Sequence, residues 1–430
     1  MATINQPTGT PYFKRPPTEK QPSTQWSYKN MLQKFRAKKT EQQSYTEEEL
    51  QNRYIYKRQE DIQRERDQHD RENGVRKPRE LTPEQKERKR LEKIRKNLLW
   101  DTIDEFKSVG KNHFRQVAQE NLERWAKTAT EVKDPIYRLD DKDWGDSALD
   151  LTREFGETFA VLNMASPYVP GGGYKKGTAA QEENMFRRTD CHFTITDKTV
   201  MEDPEVDWKR FIYKPEIEAL VTAKDGKVLL DVANPRTCIR GSEDSTAEDL
   251  GYRWLNKDEI FPFYEMRSAA IDFRPKKTFS EKKGRTITKH KRFSREGTRK
   301  RIVAQLETAI EKNIRYLLLG AFGCGAFRGD GDQIAELYCE EIMKRDGQFD
   351  VVVFSVFYPG YGPDNYSKFK VGLKPLLKLK YKRWKEQRQA AKAKAEKAKT
   401  GEAKTEEASE TVTEAPTKTE ETPETPTKAE

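Results

Sequence analysis

The chain has 430 residues, with 82 Lys and Arg against 72 Asp and Glu for a net charge of +10. Only 34% of the residues are apolar and 36% are charged, against about 45–50% and about 25% in ordinary globular chains, so much of the length cannot be core. The charge sits at the ends: residues 1–100 carry 24 basic and 15 acidic side chains, 374–400 carry 11 and 2, and 401–430 carry 3 and 9, while 101–373 carry a near-neutral 44 and 46.

Residues 1–80 are rich in Gln, Lys, Arg, Glu and Pro with few apolar residues, the composition of a disordered, charged N-terminal region. From Thr82-Pro83-Glu84-Gln85, an N-cap with Pro at the first helical position, Leu91, Ile94, Leu98, Leu99, Ile103 and Phe106 recur at helical spacing. Residues 81–145 are therefore expected as a helical lead-in, with Pro135–Gly145 a charged, turn-forming connection. A folded domain is expected over 146–373. In it, Phe159–Ala165, Tyr316–Gly320 and Val351–Phe357 are continuous apolar runs that read as buried strands, and Val228–Val232 and Ala269–Phe273 are further strand candidates. A helix should follow the first strand, and apolar faces at Arg301–Asn313 and Ile334–Met343 mark two more. Buried strands alternating with amphipathic helices predict an α/β domain with a parallel or mixed sheet covered on both faces. Residues 276–301 hold twelve Lys or Arg against Glu281 and Glu296 and read as an exposed basic loop. Residues 374–400 suggest a basic Ala/Lys-rich helix and 401–430 an acidic, low-complexity, disordered tail.

No apolar run of about 18 residues occurs and the N-terminus lacks the pattern of a signal peptide, so the expectation is an intracellular protein, of nucleus or cytoplasm, without a membrane partner. Lys86–Arg90 and Lys282–Arg292 would also serve as nuclear targeting sequences. Cys191, Cys238, Cys324 and Cys339 are far apart with no C-x-x-C, which predicts buried reduced thiols and neither a disulfide framework nor a structural zinc site.

Two glycine loops each follow a strand and precede a helix: Pro170-Gly171-Gly172-Gly173-Tyr174 and Gly320-Ala321-Phe322-Gly323-Cys324-Gly325-Ala326-Phe327. Glycine lets backbone N–H groups approach an anion, so the pair suggests a diphosphate clamp; each alone is equally a tight strand-to-helix turn. Neither fits a Walker or a Rossmann fingerprint. After Gly173 and seven intervening residues come Gln181-Glu182-Glu183, expected on the first helical turn. Successive helical residues point about 100° apart, so the two acids should have different jobs, or else simply complement the helix dipole. Cys191-His192 resembles a nucleophile and base, but adjacent residues rarely converge on one atom.

The run Val161-Leu162-Asn163-Met164-Ala165-Ser166, then Gly171-Gly172-Gly173, Gln181-Glu182-Glu183 and Arg187-Arg188, resembles the GGG-x(6 to 8)-QEE signature of poly(ADP-ribose) glycohydrolases (PARG), particularly the microbial-type enzymes, and Gly320–Phe327 is similar to that family's second phosphate loop. The resemblance, over roughly Phe159–Phe357, implies a macrodomain-like three-layer α-β-α fold with a mixed central sheet. It implies ADP-ribose bound between the loops and hydrolysis of ribose–ribose bonds in poly(ADP-ribose) or on ADP-ribosylated proteins. Carried over, Glu183 is the catalytic acid and Glu182 the neighbour that fixes a ribose. Asn163 and Ser166 (Asn in many relatives) orient the substrate, Phe327 packs on the ribose nearer the adenine, and Gly171, Gly172, Gly173, Gln181, Gly323, Gly325 and Ala326 complete the binding site. No cofactor or metal is implied, and a monomer is expected. Two alternatives stay open: a macrodomain that only binds ADP-ribose, against which the Gln181-Glu182-Glu183 triplet argues, and a nucleic-acid-binding scaffold served by the basic segments.

Overall fold

The computed structural model describes Gln68 and residues 81–196, 198–202, 211–280, 285–358, 363–379 and 389; the expected disordered region 1–80 and the segments 380–400 and 401–430 lie almost wholly outside these. The chain divides into the units Met1–Thr82 and Pro83–Glu430, and all elements named here lie in the second. Helix α1 (Pro83–Ser108) and α2 (Lys111–Ala126) precede strand β1 (Ile136–Asp140), α3 (Trp144–Phe155), β2 (Ala160–Met164) and α4 (Gln181–Arg188). Then come the small pair β3 (Val200–Glu202) and β4 (Phe211–Tyr213), α5 (Pro215–Val221), β5 (Leu229–Leu230), β6 (Arg236–Cys238) and β7 (Phe261–Ser268). A hairpin β8 (Lys276–Ser280) and β9 (Arg285–Lys289), α6 (Arg295–Glu311), β10 (Tyr316–Leu319), α7 (Gly331–Met343), β11 (Val351–Ser355), α8 (Asn365–Gly372) and α9 (Lys374–Leu377) follow.

The main sheet runs β1-β11-β10-β2-β7-β5, with β6 also on β7. Its first five strands are parallel, and β5 and β6 are antiparallel to β7. Side chains alternate between faces along each strand. Leu162, Leu317, Leu319, Val352 and Phe354 pack with Ile302, Leu306, Leu337 and Phe369 of α6, α7 and α8 on one face. On the other, Val161, Leu318, Val351 and Val353 pack with Leu99, Leu151, Met185 and Phe186 of α1, α3 and α4. This is the expected three-layer α-β-α arrangement with a mixed sheet, and it collects the loops after β2, β7 and β10 at one end. All four cysteines are free and buried. Among the described residues no helix is long and apolar enough to cross a membrane.

Several elements differ from the sequence expectation. Ile136–Asp140, within the segment read as a connection, is a sheet strand paired with β11; only Tyr137 in it is buried, so an edge position removes the apolar run that identifies inner strands. The candidate strand Ala269–Phe273 lies just beyond the real strand β7. The expected basic loop 276–301 is instead a paired hairpin, with residues 281–284 outside the described part, followed by the first turns of α6. Its Thr278, Thr286, Ile287 and Thr288 favour extended backbone despite the charge, and Ser294 caps α6 by accepting from the Gly297 N–H. Of the segment 374–400, where a basic Ala/Lys-rich helix was expected, the described residues include the four-residue helix α9 (Lys374–Leu377), and most of the rest lies outside them.

Helices α6 and α7 are joined by buried Glu341, which accepts from Lys344 Nζ at 2.7 Å and Arg345 Nη1 at 2.9 Å and from Arg299. Burial pushes its carboxyl up, but these hydrogen bonds outweigh it and hold the pKa at about 2. A depressed carboxyl stabilises the fold above its unfolded value and loses that contribution as pH falls through the folded one. Glu341→Gln should therefore lower the urea midpoint at pH 6, and the deficit should shrink between pH 4.5 and about 2. An equal deficit at pH 6 and pH 3 would show that the carboxylate's charge contributes nothing to the pairing.

Candidate active site

Helix α4 begins directly opposite the end of β2, and its first three side chains each bind a different stretch of backbone. Gln181 Oε1 accepts from the Met164 N–H at 2.9 Å while its Nε2 donates to the Leu162 carbonyl at 2.8 Å, completing the edge of β2. Glu182 accepts from Ser166 N–H at 2.7 Å with one oxygen and from Gly171 N–H at 2.9 Å with the other. Glu183 Oε1 accepts from Gly173 N–H at 2.8 Å. The two acids thus have the different jobs that their angular offset requires. Glycine is needed at 171 and 172 because φ is +76° and +54° there. A Cβ on Gly172 would also fall 2.6 Å from Glu183 Oε1 and 2.9 Å from Glu182 Oε2.

This geometry changes the role expected of the first glycine loop. The Gly171 and Gly173 N–H groups hold the glutamates, and Gly172 N–H donates to the Val169 carbonyl at 3.0 Å, so its N–H groups are engaged within the protein. The second loop differs: among the described residues the N–H groups of Gly323, Gly325 and Ala326 donate to no protein acceptor, and Gly325 and Ala326 are exposed. It is this loop that leaves donors for a phosphate. Gly323 has φ +74° and packs against Ala270, whereas the Cα of Gly325 faces open space. Phe327 is half-buried under the Arg274 guanidinium, 5.2 Å from its ring centre.

Asn163 is fully buried; its Nδ2 donates to Glu265 Oε1 at 2.7 Å and its Oδ1 has no protein partner. Glu265 in turn lies between Arg267, at 2.8 Å, and Arg236, at 3.3 Å. Ser166 Oγ accepts from the Tyr168 and Val169 N–H groups, both at 3.3 Å, fixing the turn out of β2. Cys191 is buried and burial pushes its thiol well up, while burial holds His192 down at about 4. That pair is a neutral thiol beside a neutral imidazole.

Burial raises Glu182 well above the usual carboxylate range, reinforced by the neighbouring Glu183 charge, against the N–H groups and Arg267 that lower it. Burial also raises Glu183, against the hydrogen bonds from Gly173 N–H and its own N–H. Among the described residues no other residue donates to Glu183 Oε2, so the raised carboxyl keeps one oxygen that the rest of the protein leaves available for proton transfer.

Sequence reasoning missed the frame behind α4. Thr102 Oγ1 of α1 donates to the Arg187 carbonyl at 2.7 Å. Arg187 donates to the Thr178 carbonyl at 2.8 Å and to the Tyr252 hydroxyl at 3.0 Å. Tyr252 donates to Glu243 at 2.7 Å, which Arg95 of α1 also contacts at 2.7 Å. A Cβ on Gly177 would lie 2.0 Å from the Glu92 carbonyl. The lead-in helix is thus packed directly onto the glycine loop. The adjacent Arg187-Arg188 pair was the visible trace of this frame.

Because both Glu182 oxygens are held by loop N–H groups, Glu182→Gln must turn its NH₂ toward one of them. An unpaired buried donor costs ~1–3 kcal/mol. We expect a lower thermal midpoint together with reduced activity; an unchanged midpoint would show that Glu182 does not hold the loop.

Residues 33–218 match the family model described as microbial-type PARG, catalytic domain. That bears out the resemblance at the first loop and α4, begins ahead of the expected lead-in, and ends before the second loop. Among curated sequences no relative matches the chain. Of solved structures, a poly(ADP-ribose) glycohydrolase from Thermomonospora curvata is 20% identical, with 65% of this chain and 98% of that one covered at a TM-score of 0.42. One from Deinococcus radiodurans in complex with ADP-ribose is 20% identical, with 62% and 92% covered at a TM-score of 0.39.

Proposed function

We propose that this chain, an enzyme with a microbial-type PARG catalytic domain, hydrolyses the ribose–ribose O-glycosidic bonds of poly(ADP-ribose) and releases ADP-ribose, with Glu183 as its single acid and base and no metal. The observation that carries the reading is the Glu183 carboxyl, raised by burial, fixed through Oε1 by Gly173 N–H and bound at Oε2 by no other described residue. In the forward step Glu183 protonates the leaving ribose oxygen as the bond to the anomeric carbon breaks. The resulting carboxylate takes a proton from water, whose oxygen bonds the same carbon, and the acid is restored. The open N–H groups of Gly323, Gly325 and Ala326 would receive the diphosphate, whose negative charge lies close to the developing cation and replaces the second carboxylate of an ordinary glycosidase. Glu182 keeps the loop in shape, and Asn163 and Phe327 border the riboses.

Purified full-length protein incubated with automodified polymer tests this directly, with free ADP-ribose as the expected product. Retained ADP-ribose binding without release would make the chain a binding module. Absence of both would leave the charged flanks, and a nucleic-acid scaffold, as its function.

A further inference from the structure

A cavity borders the site without including its glutamates. Of about 230 Å³, it is walled by Pro167 and Tyr168, which follow directly from Ser166, and by Ala270, which touches Gly323. It therefore shares a boundary with both glycine loops while lying toward β7 and α5, on the side of β2 away from β10. Three cations line it, Lys224, Lys291 and Arg301, against the acids Glu218 and Asp272. Asp272 is already chelated by Arg274, at 2.6 and 2.9 Å. Arg301 is the half-buried member: it donates to the Ala269 carbonyl and pairs with no carboxylate among the described residues. Tyr168, 45% exposed, adds an aromatic face beside it. A desolvated guanidinium next to an aromatic ring is the chemistry that receives a nucleotide phosphate and its base.

We propose that this cavity is a leaving-group subsite that binds the diphosphate of the adjoining ADP-ribose unit, the one whose ribose oxygen Glu183 protonates as the scissile bond breaks. This rests on the proposed polymer cleavage. The scissile ribose would sit at the glutamates with its own diphosphate on the second loop. The chain continues from the leaving oxygen into an adenosine whose phosphates need a second positive site within one nucleotide's reach. Burial holds the Arg301 guanidinium down at about 10, consistent with a cation short of compensation until an anion arrives.

The test uses full-length protein carrying Glu183→Gln, so that ligand is not consumed, and compares calorimetric affinities for ADP-ribose and for a two-unit ADP-ribose oligomer. We expect the oligomer to bind at least ~10-fold tighter, about 1.4 kcal/mol. Arg301→Gln should remove that advantage while leaving ADP-ribose affinity unchanged. Exposed Lys291→Gln, which cannot disturb the core, should reduce it in part and make it less sensitive to salt. An unchanged oligomer advantage in both variants overturns the subsite. Equal losses for oligomer and ADP-ribose overturn it too, because the cavity would then hold the first unit. If Glu183→Gln and unmodified protein bind neither ligand, the reading of the site itself fails, and this one with it.

Discussion

Glu183→Gln is expected to keep the fold and ADP-ribose affinity and to lower polymer hydrolysis at least ~100-fold, the lower bound for removing a general acid–base. The amide oxygen can accept from Gly173 N–H as Glu183 Oε1 does at 2.8 Å, and the NH₂ takes the place of Oε2, so shape and contacts survive. Only the transferable proton is lost. The pH profile separates this from a loss of structure. Burial raises the Glu183 carboxyl, so its protonated form persists above the ordinary carboxylate range, and wild-type turnover should fall as pH rises through the raised value. The residual rate of the variant should lack that limb. Retention of more than about a tenth of wild-type activity would reject Glu183 as the acid.

The contrast with Glu182 shows why the same two letters in a sequence carry unequal information. Their adjacency on a helix already requires different directions, but which one is engaged depends on where Gly171, Gly173 and Ser166 place their N–H groups, and that is set by positive-φ backbone with no sequence signal beyond glycine. The strands β2, β10 and β11 were legible because they are buried on both faces and so are apolar throughout. Strand β7 was not, although it lies inside the same sheet: Phe261-Pro262-Phe263-Tyr264-Glu265-Met266-Arg267-Ser268 carries two charges that pattern reading assigns to the surface. Glu265 and Arg267 are buried because they neutralise each other and share Arg236 and Asn163, contacts that join residues as much as 102 positions apart. Long-range compensation of this kind cannot be read from periodicity. The frame from Arg95 through Glu243 and Tyr252 to Arg187 was hidden for the same reason.

Gly172→Val and Gly325→Val should separate the two glycine loops, which are alike in glycine content but differ in whether their N–H groups are engaged by the protein. At Gly172 the left-handed φ of +54° strains any branched residue, and the new Cβ would lie 2.6 Å from Glu183 Oε1 and 2.9 Å from Glu182 Oε2, inside van der Waals contact with both acids. The left-handed backbone alone costs ~1–2 kcal/mol, and the carboxylates must move off their N–H donors. Activity should fall at least as far as in Glu183→Gln, ~100-fold or more, with a lower thermal midpoint. Gly325 has an ordinary φ and, among the described residues, no heavy atom within 4 Å of an added Cβ, so Gly325→Val should melt like the wild type. If its N–H and that of Ala326 receive the diphosphate, the valine side chain stands where the phosphate must approach. ADP-ribose affinity should then fall ~10-fold or more, about 1.4 kcal/mol. Calorimetry on the folded variant decides it: undiminished affinity in Gly325→Val would mean that the second loop is a turn between β10 and α7 and that the phosphate is held elsewhere, because no described residue requires glycine at that position.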